Sequence, residues 1–148
     1  VVKVKLVEIK DTIIQKLTNG FLSYNIYGEK DESGFSKPAL LVKVYPTSMS
    51  MENKYHRRKS INVEISFYSL KGTNQEELEC ADKIYEIFDS VMIVNNRKLT
   101  VGIIQTMIID GILTFCFNID FTDSIDETEA YDYEDYQLME ELQMKEEF

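Results

Sequence analysis

Residues 61–68 alternate without a break between apolar and polar side chains, with Ile61, Val63, Ile65 and Phe67 set against Asn62, Glu64, Ser66 and Tyr68. Successive side chains of a strand point to opposite faces, so this pattern predicts a half-buried strand. A second alternating stretch places Leu113, Phe115, Phe117, Ile119 and Phe121 on a single face. At roughly 1.5 to 3 kcal/mol for each large side chain buried, that face becomes the wall of a core. Asp110-Gly111, a pair that accepts the positive φ of a tight turn, joins residues 99–109 to residues 112–121, which predicts a β-hairpin.

Two helices accompany these strands. Leu6, Ile9, Ile13 and Leu17 recur on one face of an amphipathic helix expected over residues 2–17, with Asn19-Gly20 placed to end it. Thr73 and Glu76 form a capping box ahead of Leu78, Ala81, Ile84, Tyr85, Phe88 and Val91, which predicts a second helix over residues 74–91. Residues 24–27 and 39–45 read as further strands, with Pro38 opening the second, and the polar residues 28–37 read as a loop. The expected order is α-β-β-β-α-β-β. That order predicts an α+β fold of two layers, a mostly antiparallel sheet with two helices packed on it.

Charge divides the chain. Residues 123–148 hold eleven carboxylates and Lys145, a net charge of −10, whereas residues 1–122 hold 15 acidic and 15 basic side chains. The expected organisation is therefore one α+β domain over residues 1–122 and an acidic C-terminal arm over residues 123–148. Like charges a few residues apart repel within a Debye length of about 8 Å, so a free arm is expected to be extended. Yet Tyr131, Tyr133, Tyr136, Leu138, Met139, Leu142 and Phe148 are interspersed. Leu138, Met139 and Leu142 share a helical face, which suits an arm that folds against a partner.

The apolar runs at 39–42 and 91–94 are four residues each, against the roughly 18 or more needed for a membrane span. With charged residues near the amino end and only Cys80 and Cys116, both read as buried, the expectation is a soluble protein made in a reducing compartment, without an export signal. No G-x-S-x-G, H-E-x-x-H, C-x-x-C or phosphate-cradling glycine loop occurs, and His56 is the sole histidine. Neither catalysis, a metal site nor a cofactor is expected. The carboxylates at Asp123, Asp126, Glu127 and Glu129 lack the spacing of a calcium loop.

Two segments qualify as contact sites. The basic cluster His56, Arg57, Arg58 and Lys59 is expected to meet an acidic surface on another subunit rather than nucleic acid, given the net negative chain. The segment 46–53, read as an exposed hairpin loop, carries Thr47, Met49 and Met51 and leads to Tyr55; methionine adapts to irregular surfaces, so it is expected to face a partner ring.

The succession of an opening amphipathic helix, the run Lys37-Pro38-Ala39-Leu40-Leu41-Val42, a polar hairpin leading into residues 55–68, and the capped helix from Thr73 resembles the small tail terminator proteins of phages from Gram-positive bacteria. It is similar also to their counterparts in contractile phage-tail-like bacteriocins such as the diffocins. The resemblance covers residues 3–122. It implies a structural, non-enzymatic collar subunit forming a ring, usually a hexamer, that caps the tail tube, ends its polymerisation and anchors the sheath or the head-side connector. It further implies assembly in the bacterial cytoplasm and incorporation into a phage or phage-tail-like particle. Two other readings compete with it. One is a monomeric acidic module that mimics DNA to inhibit a DNA-binding protein, and the other is a small enzyme using His56.

Overall fold

The computed structural model describes residues 4–30, 34–89 and 91–124. Helix α1 spans Leu6–Gly20 and β1 spans Asn25–Tyr27. A long ribbon of β2 (Ala39–Asn53) and β3 (His56–Tyr68) leads to α2 (Asn74–Ile87). Four strands follow, β4 (Val91–Val94), β5 (Arg97–Val101), β6 (Gln105–Ile109) and β7 (Ile112–Ser124). The sheet order is β1-β2-β3-β7-β5-β4, with β6 also paired to β7. Every pairing is antiparallel except β1 with β2. The α+β class and two-helix layout agree with the sequence.

The alternating faces explain the core. Ile61, Val63, Ile65 and Phe67 of β3 and Phe115, Phe117 and Ile119 of β7 are buried against Ile9, Ile13 and Leu17 of α1 and Cys80 and Ile84 of α2. Burial pushes the Cys80 thiol up to about 12, so at neutral pH it stays a protonated, packed apolar group. Cys116 lies on the opposite face of β7 and is only half-buried, contrary to expectation.

Several boundaries move. Helix α1 starts at Leu6, where the Glu8 carboxylate accepts the Lys5 N–H at 3.2 Å, and runs through Gly20 until the buried Phe21 N–H donates to the Leu17 carbonyl at 2.8 Å. Helix α2 ends at Ile87, because Val91 belongs to β4, which pairs with β5 through a turn whose residues Asn95 and Asn96 have positive φ. Residues 46–53 are strand rather than loop, since the β3 partner carries the ladder from Ser48 to Asn53 past irregularities at Pro46/Ser48 and Met51/Asn53. The expected strand 99–109 is broken after Val101, where the Gly102 N–H donates to the Asn118 carbonyl at 2.8 Å. A Cβ on Gly102 would stand 3.0 Å from that carbonyl oxygen, so glycine permits the close approach. The Asp110-Gly111 turn forms as expected, with φ of 50° and 77°.

The capping box at α2 is half realised. Thr73 Oγ1 accepts the Glu76 N–H at 3.3 Å, but the Glu76 carboxylate instead accepts the N–H groups of Leu70 and Lys71 at 3.0 and 2.9 Å and the Ser69 hydroxyl. Burial raises this carboxyl; the Ser69, Lys71 and Leu70 bonds with the Lys71 charge outweigh it and hold the group below the usual carboxylate value. A lowered folded pKa stabilises the fold above the unfolded value and ceases to do so as pH falls through the folded one. Glu76→Gln is accordingly expected to lower the urea midpoint at pH 7, with the gap from the native chain narrowing as the titration is repeated toward pH 3.

Candidate assembly interface

Strand alternation divides the basic cluster. In the β3–β7 register Arg57 stands opposite Asp123 and Lys59 opposite Phe121, so these two side chains share the helix-side face, and Arg58, opposite Thr122, faces the other way. Lys59 Nζ lies 3.2 Å from Asp123 Oδ2, and the Arg97 guanidinium donates to Asp123 Oδ1 and to the Thr122 carbonyl. The Val4 N–H reaches Asp123 Oδ1 at 3.5 Å. Arg57 Nε contacts Met51 Sδ at 3.4 Å, Arg58 pairs with Asp120 at 3.7 Å, and the His56 ring nitrogen Nδ1 lies 3.0 Å from Asn53 Oδ1. The four residues therefore do not form one outward patch, and Lys59 is committed to an internal ion cluster.

Asp123 was expected in the arm, yet its side chain is 3% exposed and lies within β7, which continues to Ser124. The expected boundary after Thr122 thus falls inside a strand. A signal for this was available: the alternation through Phe117, Ile119 and Phe121 places residue 123 on the buried face as well. Arg97 carried no such signal, because it meets Asp123 only through the β5–β7 pairing.

The β2–β3 ribbon carries the other predicted contacts. Thr47 donates to the Ser60 carbonyl at 3.0 Å, Met49 is 59% exposed, Met51 is half-buried, and Tyr55 is exposed with the Lys54 ammonium 4.9 Å from its ring centre. Thr47 and Met49, with Leu6, Pro46, Lys59 and Ile61, line an open cleft of about 320 Å³ at the base of the ribbon. An apolar floor beside one lysine suits a protein side chain better than a polar metabolite. Tyr131, Tyr133, Tyr136, Leu138, Met139, Leu142 and Phe148 lie outside the described residues.

Sequence reasoning did not single out β6. All five of its residues are exposed, Ile108 at 67%, and Ile103 just before it at 84%. Tyr85 of α2 hydrogen-bonds Thr106 and fixes the helix-side face of this strand. No helix is long and apolar enough to cross a membrane, and no three His, Cys, Asp or Glu side chains converge on a metal-sized site among the described residues.

A ribbon and an edge strand that expose apolar side chains suit protein contacts. Comparison with curated proteins finds no match. One solved chain aligns over 82% of this chain and 96% of its own length, at 14% identity and a TM-score of 0.44. The family model described as phage tail terminator protein matches residues 8–131. That match takes in α1 from Glu8, α2 and, among the described residues, all seven strands, and so the chain belongs to the phage tail terminator protein family.

Proposed function

We propose that this structural tail-assembly protein is a ring-forming terminator or collar subunit, which caps the tail tube, ends its polymerisation and anchors the sheath or the head-side connector. Family membership over residues 8–131 is the observation that carries the reading. It is supported by the long β2–β3 ribbon, whose Met49 and Tyr55 are exposed and so available to a partner ring. Residues 125–148, acidic and dotted with tyrosines, suit a segment that reaches a neighbouring copy or the sheath.

Particles assembled without this protein are expected to carry overlong tubes in electron micrographs, and tubes of normal length would overturn the capping role. Met49→Asp with Met51→Asp is expected to abolish binding to purified tube ends while leaving the fold intact by circular dichroism. Unchanged binding would remove the ribbon from the tube contact.

A further inference from the structure

Residues 44–51 and residues 99–109 carry no charged side chain, in a chain of which 28% of residues are charged. Each contains a sheet edge. On the side away from β3, β2 is paired with β1 only from Ala39 to Leu41, so among the described residues its edge from Val42 onward meets no strand. On the other side of the sheet β6 pairs with β7 alone, and its outer edge is likewise open. Open edges of monomeric proteins are commonly blunted by lysine, inward-pointing charge, proline or a bulge, because bare N–H and C=O groups recruit further strands. On β2, Pro46 and the irregularities at Pro46/Ser48 and Met51/Asn53 leave residues 48–51 as the regular stretch of open edge. Gln105-Thr106-Met107-Ile108-Ile109 has no such guard.

The two edges cannot satisfy each other within one chain. They lie on opposite sides of the sheet, with β3 and β7 between them, and about 4.8 Å separates each neighbouring pair of strands. They are also offset along it: Gln105 is level with Cys116, Glu64 and Lys43, whereas the open part of β2 continues to the level of Arg58 and Thr122. Only a second copy can bring them together.

We infer that β6 of one copy adds to the open edge of β2, along residues 48–51, in the next copy, in a head-to-tail contact that extends the sheet from subunit to subunit. This deepens the ring reading and rests on it. Such a heterologous contact uses two different patches and closes when the rotation between copies is a simple fraction of a turn. So few paired residues fall short of the roughly 800 Å² per partner of a stable interface, so flanking apolar side chains must add to it. Ile103, 84% exposed, is placed to do so.

Met107 faces Thr114, and Ser50 faces Arg58, so both lie on the sheet face away from the helices. In a Cys116→Ser background, the Met107→Cys/Ser50→Cys chain treated with a short bis-maleimide is expected to give a ladder of covalent multimers on a denaturing gel, and each single variant none. Ile109→Lys is expected to weaken self-association at least ~10-fold by sedimentation with the circular dichroism unchanged. A native-mass ring without the ladder, and undisturbed by Ile109→Lys, would overturn the edge pairing and leave the ring standing. Dimers from Met107→Cys alone would replace it with a two-fold contact, and a ladder appearing only after removal of residues 125–148 would mean that the chain's own tail occupies an edge. A native chain that stays monomeric at high concentration would overturn the ring itself.

Discussion

Phe117→Ala is expected to destabilise the fold by about 3 to 5 kcal/mol, the usual cost of truncating a buried phenylalanine. Phe117 is 2% exposed in the middle of β7, stands opposite Val63 of β3, and packs its ring 5.2 Å from that of Phe88 just past α2. It therefore links the central strand pair to the helix layer, and its loss leaves a void that neither the ladder nor the helix can close independently. With total stabilities of about 5 to 15 kcal/mol for a domain, this one change removes a large fraction. Urea melts are expected to reveal a much lower midpoint at unchanged slope, because the surface exposed on unfolding is nearly the same. A shift corresponding to less than about 1 kcal/mol would mean that the helix layer does not pack on β7 at this point.

Asp123→Ala is the second large effect, expected at about 2 to 4 kcal/mol. Removing one partner of a buried ion pair costs about 3 to 5 kcal/mol because the remaining charge stays desolvated. Here the carboxylate is buried, while the Lys59 and Arg97 side chains keep 29% and 28% exposure, which moderates the cost. Breaking the cluster also releases the Val4 N–H, and with it the lead-in to α1. The triple change Lys59→Met, Arg97→Met, Asp123→Leu is expected to recover most of the loss, since a well-packed apolar set can replace a buried ion cluster. If Asp123→Ala leaves the urea midpoint unmoved, the cluster contributes no stability and the end of β7 is held by its ladder alone.

Alternation in residues 61–68 and 113–121 identified the strands and their buried faces, because side-chain direction in a strand is a local property of period two. The i, i+3 and i+7 spacing located both helices, because side-chain direction in a helix is equally local but repeats every 3.6 residues. Strand β4 escaped because Val91 continues the helical spacing of Phe88, and only its pairing with Lys98, Leu99 and Thr100 turns the chain into a hairpin at Asn95-Asn96. Residues 46–53 escaped because a polar stretch containing proline has little strand tendency by itself; the partner β3 supplies the ladder. Of the candidate contact residues, Met49 and Tyr55 are exposed as expected, whereas Lys59 is drawn inward by Asp123.

The amino-acid order alone determined the α+β class, the buried faces of α1, β3 and β7, the Asp110-Gly111 turn and the segregation of acidic charge toward the carboxyl end; on α2 it did not, because Cys80 and Ile84 are buried while Leu78 and Tyr85, expected on the core face, are exposed. Each of the determined features follows from interactions among residues a few positions apart. Tertiary structure alone decided which basic residues remain outward, where β5 gives way to β6, and which strands are left with open edges. Those outcomes depend on register between strands remote in sequence, and a side chain's availability to a partner is settled only when every neighbour across the sheet is in place.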